Sequence, residues 1–312
     1  MKEKNFKSGF VAILGRPNVG KSTIMNHLIG MKIAAVSKRA QTTRKRIQTV
    51  YTDDRGQIIF LDTPGINKAE TKLGEYMLES AVDTLKTADM IMWIIEPSDF
   101  IGTGERYVAE LIGKAAKSAN LPVLLVVNKA DTAEEDFVKK TFDKYSEYMM
   151  ESESMKFDKC LAVSATEGSG LEDLKISIFE MLPEGPMYFD EDTVTDETER
   201  EIVAEFVREK CLRNLDKEIP HGIAVVVDKM HSRISSRGEN IVDIDATIIC
   251  EREAHKGIII GKKGAMLRKI GSESRRDIED MLEEKVNLKL WVKVRPGWRD
   301  KKNFMSEYGY KK

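Results

Sequence analysis

The chain has 312 residues, enough for two domains of ordinary size. It is 41% hydrophobic and 33% charged, with 21 Gly and 8 Pro, which excludes whole-chain disorder and a collagen-like fibre. The net charge of −2 hides an asymmetry: residues 251–312 hold 17 Lys or Arg against 10 Asp or Glu, and the rest of the chain is acidic. A basic C-terminal quarter points to a polyanion, with nucleic acid ahead of an anionic membrane.

The strongest apolar runs, Met90–Ile95 and Val123–Val127, fall far short of the ~18–20 residues that cross a bilayer. No apolar stretch precedes the first predicted strand, so a secretory signal is not expected. Cys160, Cys211 and Cys250 form no local metal-ligand pattern, and an odd count suits a reducing cytoplasm with buried thiols.

In chain order, Phe10–Leu14 reads as a strand, followed by a Gly-rich turn and a helix over Ser22–Ile29. Ile47–Thr52 and Ile58–Leu61 flank Asp53-Asp54-Arg55-Gly56, a hairpin signal. Thr71–Lys86 reads as a helix and Met90–Ile95 as a buried strand. Glu105–Lys117, Pro122–Val127, Ala133–Met149, Cys160–Val163 and Leu171–Leu182 continue the alternation of helix and strand. Strands buried on both faces and separated by helices predict an α/β domain over 1–182: a mostly parallel sheet with one antiparallel edge strand.

Residues 183–198 break the pattern with Pro183, Gly185 and Pro186 and then acidic residues, and read as an extended linker. Beyond it, helical Glu199–Leu215, strands Ile223–Met230 and Ile241–Cys250, a short helix Ala254–Ile260, a long helix through Leu282 and strand Leu288–Val294 give the order α-β-β-α-α-β. That predicts a small α+β domain over 199–295, with a basic and aromatic tail over 296–312.

Gly15-Arg16-Pro17-Asn18-Val19-Gly20-Lys21-Ser22 fits G-x-x-x-x-G-K-[ST] between a predicted strand and a predicted helix. Backbone N–H groups there close around phosphate oxygens, and the helix N-terminus adds partial positive charge. Lys21 reaches the β- and γ-phosphates, Ser22 offers its hydroxyl to Mg²⁺, and Thr23 continues the nucleotide-facing turn. Asp62-Thr63-Pro64-Gly65 ends a strand forty residues on: Asp62 can hold Mg²⁺ through water and the Gly65 N–H can meet the γ-phosphate. Asn128-Lys129-Ala130-Asp131 follows another strand. The Asp131 carboxylate suits the two donors of a guanine edge, which adenine lacks. Asn128 can brace the base and the P-loop, and the Lys129 stem can lie over the ring. Ser164-Ala165-Thr166 can place the Ala165 N–H at the base carbonyl.

In the second domain, Gly257-Ile258-Ile259-Ile260-Gly261-Lys262-Lys263-Gly264 carries a GXXG loop between two helices. Two glycines let a nucleic-acid backbone approach closely, and Lys262 and Lys263 neutralise phosphates. Arg268, Lys269, Arg275 and Arg276 extend the basic field, and Ile258–Ile260 offers an apolar platform for bases. A single-stranded target suits this chemistry better than duplex. The tail mixes Arg299, Lys301, Lys302, Lys311 and Lys312 with Trp298, Phe304, Tyr308 and Tyr310. It can stack bases, pin itself to the domain, or touch an anionic membrane.

The ordered set P-loop, D-x-x-G, N-K-x-D and S-A-T resembles the small GTPases, and residues 199–295 resemble a type II KH domain. The resemblance implies GTP as substrate, hydrolysed to GDP and phosphate, with catalysis drawing on Lys21, Gly65 and a switch threonine that closes onto Mg²⁺. Thr42 and Thr43 in Gln41-Thr42-Thr43-Arg44 are the candidates, and the doubled-threonine pattern of translation-factor-like GTPases favours Thr43. Ile66 stands where many GTPases carry the glutamine that orients water. Backbone groups, a bridging water, a monovalent cation or a partner must then supply what it cannot. In GTPases resembling P-N-x-G-K-S, the asparagine, here Asn18, often helps hold a potassium ion.

P-N-V-G-K-S and Q-T-T-R joined through a short acidic linker to a C-terminal KH domain resemble the bacterial Era-type GTPases over nearly the whole chain. That resemblance implies binding to small-subunit ribosomal RNA near its 3′ end and assistance to late assembly of that subunit. It also implies a cytoplasmic protein with a peripheral fraction on the inner membrane face, and a switch loop over 37–46 coupling nucleotide state to the RNA groove. A monomer is the default. The alternative is a GTPase switch acting on a protein or membrane surface.

Overall fold

A computed structural model of the chain describes residues 6–37, 42–66, 71–236 and 238–310. It divides into two compact units, the first drawn almost entirely from residues up to Asp196 and the second from Glu197 onward.

The first unit contains β1 (Lys7–Leu14), α1 (Lys21–Ile29), β2 (Ile47–Asp53), β3 (Gly56–Asp62), α2 (Lys72–Leu85) and β4 (Met90–Ile95). It continues with α3 (Thr103–Ala119), β5 (Val123–Val127), α4 (Glu135–Glu153), β6 (Lys159–Ala162) and α5 (Leu171–Met181). The sheet order is β2-β3-β1-β4-β5-β6. β2 runs antiparallel to β3, and the pairs β1/β3, β1/β4, β4/β5 and β5/β6 are parallel. This is a P-loop GTPase fold. Every residue of β4 and β5 is buried, the consequence of helices on both faces. Trp93 and Tyr145 meet edge-to-face at 5.3 Å in the core on one face.

Parallel strands end on the same edge of the sheet. The loops after Leu14, Asp62 and Val127, and the one after β6, therefore gather there, and these carry the four sequence motifs. Topology assembles the site from segments more than a hundred residues apart.

The stretch expected as an extended linker is instead bonded along the first unit. Ser8 N–H donates to the Pro183 carbonyl (3.1 Å) and Val50 N–H to that of Val194 (2.8 Å). The buried Gln57 amide donates to the Phe189 carbonyl (2.9 Å) and accepts from the Tyr188 and Phe189 N–H groups (2.9 and 3.0 Å). Pro and acidic residues read as linker because composition does not reveal partners. Cys160, expected as a buried thiol, is exposed on edge strand β6, while Cys211 and Cys250 are buried.

The second unit contains α6 (Glu199–Asn214), β7 (Ala224–Ile234), β8 (Asn240–Cys250), α7 (Glu253–Ile260), α8 (Ala265–Leu282), β9 (Lys285–Val294) and α9 (Lys302–Glu307). Its sheet order is β7-β8-β9, with β7/β8 antiparallel and β8/β9 parallel. This is the predicted α+β arrangement of a KH domain. Thr198 starts α6 with a capping box: its hydroxyl accepts from Glu201 N–H while Glu201 accepts from the Thr198 N–H at 2.9 Å. β7 runs on past the expected end at Met230, with a register shift between Val227 and Lys229 that leaves Asp228 bulged. Val207, Cys211, Ile248, Ile259 and Ile270 lie in the core on the helical side.

The tail packs on its own domain. Trp298 is fully buried, donates its indole N–H to the Gly222 carbonyl at 2.9 Å and stacks on Tyr310 at 5.8 Å. Those rings are unavailable to bases or lipid; Lys311 and Lys312 lie outside the described residues. No helix among the described residues is long and apolar enough to cross a membrane.

Candidate functional site

The P-loop leaves β1 at Leu14 and enters α1 at Lys21. Asn18 and Gly20 take left-handed conformations (φ 70° and 95°), which turns the backbone into an anion-binding concavity. The buried Lys21 ammonium donates to the carbonyls of Gly15 (3.1 Å) and Arg16 (3.0 Å). Among the described residues two of its three donors fix its position, which leaves one for a phosphate oxygen. Burial lowers its pKa, against the attraction of the Asp62 and Glu105 carboxylates.

Asp62 ends β3 as a fully buried carboxylate. Its Oδ2 accepts from Ser22 Oγ at 3.0 Å and Thr43 Oγ1 at 3.1 Å, and the two hydroxyls lie 3.0 Å apart. Adjacent corners of an octahedral Mg²⁺ shell with 2.0–2.1 Å ligands are separated by about 2.9 Å. Asp62 Oδ1 is buried without a hydrogen-bond partner among the described residues, and burial raises the Asp62 pKa against the pull of Lys21. A cation here would supply the charge that this carboxylate lacks, so the residues present fit Mg²⁺, with Ser22, Thr43 and Asp62 to hold it. Thr43, not Thr42, brings its hydroxyl to this cluster. Of the expected switch loop 37–46, residues 38–41 lie outside the described residues.

Thr63 is buried and its hydroxyl donates to the Ile13 carbonyl at 2.7 Å, tying the D-x-x-G segment to β1. Pro64 is also buried. Gly65 sits against Pro17: a Cβ there would lie 2.9 Å from the Pro17 backbone nitrogen, so only glycine lets this segment touch the P-loop. Ile66 is 3% exposed and packs in the core, so its side chain has no access to a hydrolytic water.

Asn128 joins three of the four motifs. Its Nδ2 donates to the Val19 carbonyl at 2.8 Å, and its Oδ1 accepts from Ala165 N–H at 3.1 Å. A Cβ on Gly20 would lie 2.1 Å from Asn128 Nδ2, so glycine is required for this approach. The Ala165 N–H, expected at a base carbonyl, is here spent on Asn128. Lys129, in a left-handed conformation, donates to the Asn18 carbonyl at 2.9 Å and pairs with Glu96, laying its stem across the loop. Asp131 is exposed in a short turn, Ala130–Thr132, and the Ser164 and Thr166 hydroxyls lie 3.3 Å apart.

In the second unit, Gly257 and Ile258 form the outer face of the last turn of α7 and are exposed. Ile259 is fully buried in the core, so its place in an RNA platform is corrected: helical period sends one of the three isoleucines inward. Ile260 is half-buried. Gly261, Lys262, Lys263 and Gly264 form the turn into α8, with both lysines exposed and Lys263 left-handed (φ 50°). The loop opens onto a groove of about 400 Å³ between α8 and β9. Lys263, Arg268 and Arg275 line it with charge, and Leu267, Leu288 and Leu290 give it an apolar floor. Arg268 is positioned by donating to the Lys263 carbonyl at 3.0 Å.

Residues 10–129 match the family described as 50S ribosome-binding GTPase, and residues 218–299 match the KH domain. GTPase Era of Lactobacillus helveticus is 46% identical over 312 residues, covering 100% of this chain and 99% of its own. GTPase Era of Clostridioides difficile is 46% identical over 305 residues, covering 98% and 99%. The chain belongs to the Era family of GTPases. Two solved Era structures, each 37% identical, cover 98% of this chain and 99% of their own. A variant of Aquifex aeolicus Era bound to GDP·AlF4⁻ superposes with a TM-score of 0.89. An Era in complex with MgGDPNP and nucleotides 1506–1542 of 16S ribosomal RNA does so at 0.88.

Sequence reasoning missed one charged residue of this Era family member's nucleotide site. Glu105, in the first turn of α3, is 2% exposed and accepts from Arg16 Nε at 2.6 Å. Burial raises its pKa against the attraction of Arg16. A lone carboxylate at a helix start reads as a dipole partner, and no local spacing links it to a loop 89 residues away. The apolar floor of the Era groove was missed for a similar reason: Leu288 and Leu290 read as ordinary strand residues.

Proposed function

We propose that this Era GTPase couples GTP hydrolysis to binding of small-subunit ribosomal RNA near its 3′ end, and so assists assembly of that subunit. The observation that carries the reading is the GXXG loop opening onto a groove with cationic walls and an apolar floor, the chemistry that grips a single-stranded backbone and its bases. The relative bound to 16S ribosomal RNA, alike over 98% of this chain, supports it.

In the nucleotide site, Lys21 and the P-loop backbone hold the β- and γ-phosphates. Ser22, Thr43 and Asp62 would hold Mg²⁺, which would neutralise charge on the phosphate oxygens. The Gly65 N–H senses the γ-phosphate, and Asp131 selects guanine. Water attacks the γ-phosphorus, and the bond to the β-phosphate oxygen breaks to leave GDP and phosphate. With Ile66 buried, no side chain at that position orients the water, so intrinsic turnover is slow. Asn18 would help hold a potassium ion, whose charge would offset that developing in the transition state. The protein works as a cytoplasmic monomer, with a peripheral fraction at an anionic membrane.

GTP hydrolysis measured in potassium and in sodium, each with and without single-stranded RNA carrying the 16S 3′ end, tests this. Turnover raised by RNA and requiring potassium is the expected result. Turnover indifferent to an RNA that does not bind would shift the function to a protein- or membrane-directed switch.

A further inference from the structure

β9 is an edge strand, and its two sides differ in chemistry. Leu288, Leu290 and Val292 point toward the helices and the core. Asn287, Lys289, Trp291 and Lys293 are all exposed on the opposite side of the sheet. Trp291 is 61% exposed, the largest aromatic ring left open among the described residues of this unit. Its partner in register is Thr247, whose hydroxyl is already taken by Asp228 at 2.6 Å.

The open side of this sheet is basic. Five cations, Lys229, Arg233, Lys285, Lys289 and Lys293, outnumber Asp228, Asp243, Asp245 and the neighbouring Glu239. Arg233 and Asn287 bond Asp243, and Lys285 pairs with Glu239 at 2.5 Å. Asp245 stands opposite Lys289, yet neither Lys289 nor Lys293 makes an ion pair among the described residues. Side chains two residues apart on a strand are separated by about 6.6 Å, so the two ammonium groups flank the indole.

We propose that this Lys289-Trp291-Lys293 face is a second contact for single-stranded RNA, with one base stacked on the Trp291 indole and the adjoining phosphates at the two lysines. The inference rests on the reading of the groove as an RNA site. Leu288 and Leu290 line that groove from the same edge strand, so RNA leaving it reaches Trp291 by passing round a single strand. Basic residues interleaved with an open ring are the chemistry of a stacking platform, and the lysines favour a polyanion over a protein surface.

The molecule carries its own probe. Trp93 and Trp298 are fully buried, so a base meeting an indole is read from Trp291 alone. The full chain is titrated with two oligonucleotides from the 16S 3′ end, about six and about twelve nucleotides long, since a KH loop clamps about four. Both should bind, and both should be lost when Lys262 and Lys263 are replaced by Asp. Only the longer should quench indole emission. Trp291→Ala should weaken the longer about tenfold, and Trp291→Phe should restore it. Binding of the longer RNA without quenching, and with Trp291→Ala equal to wild type, overturns this contact while sparing the groove. Absence of binding by either RNA overturns both.

Discussion

Arg16 and Glu105 form an ion pair of 2.6 Å that fastens the P-loop to the first turn of α3. Glu105 is almost wholly buried while Arg16 is 45% exposed in its side chain. The pair is bought at a desolvation cost on one side only, and what it secures is the loop whose carbonyls hold Lys21.

Removing either partner should therefore have different consequences. Arg16→Gln strands a buried carboxylate and should cost about 2 kcal/mol at pH 7.5, discounted for the exposure of Arg16. The loss should shrink as pH falls and the carboxyl takes up a proton. Glu105→Gln should weaken GDP binding about tenfold, about 1.4 kcal/mol, by freeing the loop. Its stability should also vary less with pH. The Glu105 pKa is raised in the folded state, so between its ordinary value and the raised one the folded protein binds more protons than the unfolded chain. Wild-type stability therefore falls with rising pH across that window, and Glu105→Gln lacks the decline. Urea unfolding at pH 5 and pH 7.5 checks both variants.

Asn128 makes two hydrogen bonds that join the strand ends after β5 and β6 to the P-loop. Asn128→Ala should lose both and weaken guanine nucleotide binding by about 2–3 kcal/mol, roughly 30- to 150-fold. Gly20→Ala should do at least as much, because the added carbon collides with Asn128 and sits at a positive φ. Competition by fluorescent GDP measures each.

Thr43→Ala removes one of three oxygens clustered within 3.1 Å, so the Mg²⁺ concentration for half-maximal GTP binding should rise about tenfold. Thr42→Ala should leave that midpoint within about twofold. A magnesium titration at fixed GTP separates the two neighbours.

Replacing Lys262 and Lys263 by Ala should weaken RNA binding across sequences, with the slope of log affinity on log salt reduced by about two. GTP affinity of the RNA-free protein should not change.

Trp298 fills the tail's own core, so Trp298→Ala should cost about 3–5 kcal/mol in the second unit. Thermal unfolding should show that unit melting early while GDP still stabilises the first.

The elements and the four motifs were legible because each is local: strand runs such as Met90–Ile95, the P-loop spacing, and the GXXG loop between two helices all lie within a few adjacent residues. The hairpin before Gly56 was legible for the same reason. The tail was not, since its aromatic and basic residues suit three environments until Trp298 is seen donating to Gly222. Ile259 shows the limit at single-residue scale: three isoleucines in a row look alike, and only the rotation of α7 against the sheet buries the middle one.

By itself the sequence determined the chemistry available: a P-loop motif, an N-K-x-D motif with its carboxylate, a basic GXXG loop, and the alternation that makes an α/β sheet. Only the tertiary structure decided which residues meet. It chose Thr43 over its neighbour, set Glu105 behind the P-loop, and laid residues 183–195 along the first unit. It also turned Trp291 outward from the strand whose leucines line the groove. The physical reason is that contacts across a parallel sheet join residues far apart in the chain, and burial depends on what packs from the other side, which no local pattern records.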